Sequence, residues 1–252
     1  RGEELYLDTE YTAALEHFVQ SLSRSEKKSF TARAQYWKAE SAYQLNRFEE
    51  ARKGYMQFLN NPSAASTEEY ANVYYNLAYA AFKLKDYTAA IQHFKKVSSQ
   101  GENDARRYDA LVRMGDCYFV TRQYNNAISA YEQVIQSNSK ERDYAAYQKA
   151  MSYGFVGKTD DKLRELNRFV NSYLKSSLRD DALFEMGSTY IKQNQQELGL
   201  QTYERLIGEF ANSPFVPRAM LRKGLVYYNS NQNEEALRQF RAVVATYPKS
   251  PE

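Results

Sequence analysis

The stretch YYNLAYAAFKLKDYTAAIQHFKKV, Tyr74–Val97, decides the fold. Tyr74, Leu77, Ala78 and Ala81 recur at i, i+3, i+4 and i+7, the spacing of one face of an α-helix. After the short corner KLKDY, the residues Ala90, Phe94 and Val97 carry the same periodicity into a second helix. Small side chains at Ala78 and Ala90 let the two backbones approach closely, so the spacing predicts a helical hairpin. Enlarging either residue is expected to cost ~1–3 kcal/mol through overpacking. The same helix carries a second, aromatic stripe, Tyr75, Tyr79 and Phe82.

The pattern recurs in YWKAESAYQLNRFEEARKGYMQFL, LVRMGDCYFVTRQYNNAISAYEQVI, YQKAMSYGFVGKTDDKLRELNRFV, LFEMGSTYIKQNQQELGLQTYERLI and MLRKGLVYYNSNQNEEALRQFRAVV. A seventh copy, GEELYLDTEYTAALEHFVQSL, is entered part-way. The small residue early in each second helix falls at Ala14, Ala51, Ala90, Ala127, Gly199 and Ala236, with Lys162 in its place once; the intervals are 35–39 residues. A steady period of this kind means a solenoid, whose hairpins bury their apolar faces only by stacking. The expectation is an all-α solenoid of about seven helix-turn-helix hairpins in one array over residues 1–252. Its units run over about 1–30 (partial), 31–69, 70–106, 107–142, 143–178, 179–215 and 216–252. Pro62, Pro214, Pro217, Pro248 and Pro251 all fall between units or at a helix start, where a missing N–H does no harm.

These segments resemble the tetratricopeptide repeat (TPR) family, whose signature places a large residue, Leu-Gly and Tyr in helix A and Ala, Phe/Tyr, Ala and Pro in helix B. MGDCY (Met114–Tyr118) with Ala127 and Tyr131 fits, as do MGSTY (Met186–Tyr190) with Tyr203, and KGLVY (Lys223–Tyr227) with Ala236, Phe240 and Pro248. The resemblance covers essentially the whole chain and implies a right-handed superhelix. Two departures stand out. The period exceeds the usual 34 residues, and the fifth unit has Lys162 and Leu166 where Ala and an aromatic are expected, so its packing should be locally irregular. Gly2 sits at the helix-A glycine position, and YPKSPE (Tyr247–Glu252) reads as the entry to another unit. The sequence is therefore expected to be a slice of a longer array.

Composition excludes several classes. The chain has 252 residues with 34 basic and 31 acidic side chains, a net charge of +3. This near-balance gives no electrostatic argument for nucleic acid or an anionic membrane. Mean hydropathy is −0.75, yet there are 23 Tyr and 13 Phe, so the apolar contacts are aromatic rather than aliphatic. No run approaches the ~18 apolar residues of a membrane helix. The single cysteine, Cys117, rules out an intramolecular disulfide and a multi-cysteine metal site, and reads as a small buried residue beside Gly115 and Tyr118.

Catalytic and metal chemistry find no footing in the sequence. His17 and His93 lie in separate units, and no G-x-x-x-x-G-K-S/T, H-E-x-x-H or G-x-S-x-G motif occurs. The glycine pair in GFVGK (Gly154–Lys158) falls at a corner without a preceding strand. Glu49–Glu50, Asp160–Asp161 and Glu234–Glu235 fall at the corner or in the first turn of helix B, where they complement the helix dipole. The reading is non-enzymatic, with no catalytic residue, cofactor or metal.

The family resemblance implies that helix A faces a concave groove through its second, fifth, ninth and twelfth positions. Carried onto this chain, these give Arg33, Tyr36, Glu40 and Tyr43; Asn72, Tyr75, Tyr79 and Phe82; and Asp109, Val112, Asp116 and Phe119. The later units give Tyr144, Tyr147 and Met151; Asp181, Phe184, Ser188 and Ile191; and Arg218, Leu221, Leu225 and Tyr228. The candidate partner-binding residues are Tyr36, Glu40, Tyr43, Asn72, Tyr75, Tyr79, Phe82, Asp109, Asp116, Phe119, Tyr147, Phe184 and Tyr228. Tyr36, Tyr75 and Tyr79 are expected to anchor the ligand, a peptide or helical segment of another protein. The competing expectation, strongest for Tyr43, Phe82 and Phe119, is that these rings pack on the next unit. A clamp for a chaperone's terminal carboxylate fails: Asn76 and Arg113 hold two of its positions, but Tyr36, Glu40 and Asp109 hold the others. Nucleic acid is disfavoured because Glu40, Asp109, Asp116 and Asp181 interrupt any basic stripe.

The unit ends carry a second resemblance. FANSP, YPKSP and YLKSS repeat a Phe/Tyr–x–x–Ser–Pro/Ser phrase similar to that of bacterial envelope members of the family. The lipoprotein of the outer-membrane β-barrel assembly machinery and the Tol–Pal-associated coordinator are of that type. It implies a periplasmic or outer-membrane-associated scaffold in a Gram-negative bacterium, with the cytoplasm as the alternative. Two other functions remain open: a glycan- or peptidoglycan-contacting module, and the substrate-recruiting arm of an enzyme whose catalytic domain lies outside this sequence. Nothing in the sequence indicates homo-oligomerisation.

Overall fold

A computed structural model describes residues 1–24, 28–99 and 105–248. Pro251 and the rest of the YPKSPE phrase after Pro248 lie outside the described residues. Among those described, fourteen α-helices form seven hairpins, with no strand. In the first compact unit, Arg1–Ser139, they pair as α1 (Gly2–Leu7) with α2 (Tyr11–Arg24) and α3 (Lys28–Gln44) with α4 (Phe48–Leu59). They continue as α5 (Tyr70–Lys83) with α6 (Tyr87–Ser98) and α7 (Ala105–Val120) with α8 (Tyr124–Ile135). In the second unit, from Lys140 on, α9 (Arg142–Phe155) pairs with α10 (Thr159–Ser172), α11 (Arg179–Lys192) with α12 (Gln196–Glu209), and α13 (Phe215–Asn229) with α14 (Asn233–Thr246). A 3₁₀ turn, Ala64–Ser66, precedes α5.

All seven corners are built alike. Five residues before each register mark the chain enters the left-handed region, at Thr9, Asn46, Lys85, Arg122, Gly157, Asn194 and Asn231, with φ between 59° and 75°. There the backbone closes helix A with a Schellman pair, as when Asn46 N–H donates to the Tyr43 carbonyl and Arg47 N–H to the Ala42 carbonyl, both at 2.9 Å. The residue that closes helix A, such as Arg47 or Gln123, then serves as N-cap of helix B. One residue ends one helix and starts the next, which is why the corners can be so short. The GFVGK glycines fall at such a corner, and the acidic pairs open α4, α10 and α14 as their spacing required.

Within a hairpin, a small residue of helix A receives the large one sixteen places later in helix B. A Cβ added to Gly115 would stand 2.5 Å from the Tyr131 ring, so anything larger than hydrogen forces that ring to shift. Ala39 and Tyr55, and Ala78 and Phe94, hold the corresponding places and are fully or almost fully buried. Every small register mark is buried too. The exception, Lys162, is not an irregularity. In the sixth hairpin the twelfth helix-A residue, Ile191, fills the space over Gly199; in the fifth the sizes are exchanged. Gly154 takes the twelfth position, and a Cβ there would stand 3.0 Å from Lys162 Cδ. The Lys162 ammonium continues past Gly154 to Glu185 of α11 at 2.9 Å.

Neighbouring hairpins stack helix B on the next helix A: α2 on α3, α4 on α5 and α6 on α7 in the first unit, α10 on α11 and α12 on α13 in the second. The unit-end phrase works as a fastener of this stack. Ser176 donates to Asp143 and Ser213 to Asp180, each at 2.6 Å, while the same hydroxyls accept the Leu178 and Phe215 N–H groups that open the following helix.

Candidate partner-binding face

In the first unit the helix-A residues converge on three carboxylates. Glu40 is only 8% exposed. Its Oε1 accepts the Tyr55 hydroxyl at 2.7 Å and the Asn76 amide, and its Oε2 accepts the Tyr6 hydroxyl at 3.2 Å. Asn76 also donates to the Tyr36 oxygen at 2.8 Å. Burial pushes the Glu40 carboxyl above its usual range, and the hydrogen bonds pull back against it. One hairpin on, Asp109 Oδ2 accepts from Tyr75 at 2.8 Å and from Tyr79 at 2.5 Å, while Arg113 Nε stands 3.5 Å from Oδ1. Arg113 also pairs with Asp116 at 2.8 Å, and Asp116 accepts the Tyr131 hydroxyl at 2.8 Å. Tyr79 is pushed up to about 12 by burial and by Asp109.

Between α3, α4 and α5 these groups leave a pocket of about 240 Å³. Its walls are Tyr43, Tyr75 and Tyr79, with Glu40, Gln44, Tyr55 and Asn76 completing the lining. The walls are braced from behind. Tyr43 packs on Phe48 (ring centroids 5.3 Å), and Tyr79 meets Tyr75 at 4.9 Å and Phe94 at 5.3 Å.

In the second unit the corresponding face is different. Phe184 is stacked on Phe215 (5.2 Å) with the Arg218 guanidinium over its ring, and Tyr147 rests on Phe169 at 5.9 Å. Ser188 and Tyr203 share a hydrogen bond of 2.8 Å. Burial beside Asp180 and Glu185 raises Asp181. Tyr228, 60% exposed, is the most open ring of the candidate set.

Sequence models of the tetratricopeptide repeat match residues 2–57, 71–99, 109–140 and 184–251, well over half of the chain together. The chain belongs to the tetratricopeptide repeat family. No curated protein matches its sequence. Among solved structures, the C-terminal part of a TPR repeat-containing protein from Cytophaga hutchinsonii is similar, with TM-score 0.76 and 16% identity over 99% of this chain and 95% of that one. YrrB, described as a TPR protein with an unusual peptide-binding site, aligns with TM-score 0.59 and 20% identity over 81% and 98%. MamA from Desulfovibrio magneticus RS-1 aligns with TM-score 0.57 and 16% identity over 72% and 97%. At these identities the likeness is one of fold.

The structure corrects part of the TPR-based site assignment. Tyr36 was expected to anchor a ligand, but it is 4% exposed, held by Trp37, Tyr55 and Phe58 at ring distances of 5.5–6.0 Å. Phe184, at 6% exposed, is likewise core. Glu40 is not a surface acid but the buried floor of the pocket. Tyr43, Tyr75, Tyr79, Phe82, Asp109, Asp116, Phe119, Tyr147 and Asn72 are partly exposed. The twelfth-position rings do pack: Tyr43, Phe82 and Phe119 lie against Phe48, Tyr87 and Tyr124, which open their own helix B, and Tyr43 also packs on the core cluster that includes Val73 and Leu77 of α5. Tyr74, which shares its helical face with the buried Leu77, Ala78 and Ala81, is only half-buried, stacked on His93 beneath the Lys96 ammonium.

Cys117 is fully buried, and its thiol is pushed up to about 12 by burial, which leaves it protonated and unreactive. Among the described residues no group of three His, Cys, Asp or Glu could hold a metal, and no helix is long and apolar enough to cross a membrane.

One signal in the sequence had gone unread. The ninth helix-A position and the helix-B aromatic fifteen residues later are matched. Where helix B offers a tyrosine hydroxyl, helix A supplies a hydrogen-bond partner: Glu40 to Tyr55, Asp116 to Tyr131, Ser188 to Tyr203. Where helix B has Phe94, Leu166 or Phe240, helix A has Tyr79, Met151 or Leu225 instead.

Proposed function

We propose that this chain is a non-catalytic interaction scaffold that holds a peptide or helical segment of a partner protein against the helix-A face of its second to fourth hairpins. The observation that carries the reading is the pre-formed pocket framed by Tyr43, Tyr75 and Tyr79. Its rings are immobilised before any ligand arrives, by hydrogen bonds to Asp109 and by edge contacts with Phe48 and Phe94. Binding therefore costs little ordering of the face itself, and the rings offer large contact area. The peptide-binding site for which YrrB is described agrees with this use of the fold. The setting we propose is the bacterial cell envelope, on the resemblance of the unit-end phrase; fractionation of cells carrying the full-length protein tests it.

Selection of random peptides displayed on phage tests the binding reading. Tyr43 is the residue to change, because its hydroxyl makes no hydrogen bond among the described residues and its loss leaves the carboxylate network intact. Selected peptides are expected to lose at least about tenfold in affinity for Tyr43→Ala and nothing for Leu237→Ala on an exposed face of α14. Peptides that bind Tyr43→Ala as well as wild type, or no enrichment at all, refute it.

A further inference from the structure

The carboxylates of the first unit's helix-A face are not equivalent. Asp109 and Asp116 share Arg113, and Glu69 has Arg33 at 2.9 Å. Glu40 has no Lys, Arg or His within ion-pair distance among the described residues; its partners are all neutral donors. Those donors disperse a buried negative charge without neutralising it, and burial leaves that charge short of stabilisation. Glu40 also lines the pocket walled by three tyrosine rings, and no basic side chain stands in that lining. A carboxylate among tyrosine rings is the chemistry that receives a cation, by charge and by attraction to the quadrupole of any ring that turns its face to it.

From this juxtaposition we propose that the pocket is a cage for one cationic side chain, the ammonium of lysine or the guanidinium of arginine, presented by the partner segment. The proposal deepens the scaffold reading and rests on it for the source of the cation. A volume of about 240 Å³ suits one side-chain end rather than a folded surface. The tyrosines and the amides of Gln44 and Asn76 supply acceptor oxygens around the rim for the remaining N–H groups. An acidic or purely apolar anchor would leave Glu40 uncompensated, so the pocket discriminates by penalty as well as by attraction.

The test uses the intact chain labelled with 3-fluorotyrosine, the Tyr43, Tyr75 and Tyr79 resonances being assigned by single Phe substitutions. It is titrated with n-butylammonium, n-butylguanidinium and the neutral isostere n-butanol. Both cations are expected to move those three resonances saturably, with n-butanol at least about tenfold weaker, and Glu40→Gln to bring the cations down to the level of the alcohol. Equal response to n-butanol and n-butylammonium overturns the cage, and so does a folded Glu40→Gln that binds the cations like wild type. The comparison of cation with alcohol on the wild-type chain stands even if Glu40→Gln does not fold. Phage peptides that depend on Tyr43 but carry no basic residue overturn the cage and keep the scaffold. Cation binding with no peptide enriched keeps the cage and overturns the scaffold.

Discussion

Replacing Asp109 by Asn asks whether the aromatic stripe is architecture or free binding surface. Asp109 Oδ2 receives two hydroxyls, from Tyr75 at 2.8 Å and Tyr79 at 2.5 Å, and so ties α5 to α7. Asn keeps the shape and an acceptor oxygen but removes the charge. A hydrogen bond to a charged group contributes ~1.5–3 kcal/mol net, and a neutral one ~0.5–1.5. The change therefore removes about 1 kcal/mol per bond, about 2 in all. The ion pair with Arg113, whose side chains are 32% and 19% exposed, adds under ~1 kcal/mol, and Arg113 keeps Asp116. The expected loss is about 2–3 kcal/mol, read as a fall in the urea midpoint and as faster amide exchange in α5 and α7. The variant Tyr75→Phe/Tyr79→Phe is expected to cost about as much alone and far less beside Asn at 109, a coupling above ~1 kcal/mol. A change within about 0.5 kcal/mol, or full additivity, would show that the hydroxyls spend their time on water and that the reasoning is wrong.

Gly115→Ala is expected to destabilise by about 1–3 kcal/mol despite its gain in helix propensity, because the new methyl meets the Tyr131 ring. Gly208→Ala in α12, where a Cβ meets nothing within 4 Å, should stabilise by up to ~1 kcal/mol, and urea titrations of the two separate packing from propensity. Lys149→Met should cost about 3 kcal/mol. It strands Glu165, whose side chain is 10% exposed and which, among the described residues, then has Arg168 at 3.6 Å as its one cationic partner, whereas Lys149→Met/Glu165→Met should recover most of the loss in a melting experiment. Tyr6 and Tyr79 are both pushed up to about 12, chiefly by burial. A raised folded value means that their contribution is complete below the ordinary value of 10.0 and is lost as pH rises through about 12. The urea midpoint should fall across that window, and less steeply in Tyr79→Phe.

The hairpins could be read from the sequence because the apolar period and the register marks are local quantities, repeated seven times. The corners were only half legible. Asn46, Asn194, Asn231 and Gly157 announce a left-handed residue, but Thr9, Lys85 and Arg122 adopt the same φ because the geometry of the hairpin demands it. Exposure of the candidate rings was the least legible. Tyr36 and Tyr75 occupy the same helix-A position and the same spacing pattern. Tyr36 is buried because Trp37, Tyr55 and Phe58 close around it, whereas Tyr75 keeps one side open. Which neighbours approach is decided by other helices, and periodicity within one helix carries no record of it.

The abundance of tyrosine has a structural cost that accounts for the acids on this face. A core of rings can hold a chain of mean hydropathy −0.75 together, but each buried hydroxyl must find an acceptor. The sequence supplies those acceptors from the ninth position of helix A or from the neighbouring hairpin, as Glu40, Asp109 and Asp116, while Ser188 shares a hydrogen bond with Tyr203. A carboxylate used in this way brings in a charge as well as a lone pair, and a second adjustment is needed to offset it. Arg113 makes that adjustment for two of the three acids in the first unit. At Glu40 the tyrosines are satisfied and the charge is not, and there the packing leaves a pocket rather than a filled core. A scaffold that solved its hydroxyl problem with neutral partners throughout, as in the Ser188–Tyr203 pair, would have had no charge left over to offer a partner.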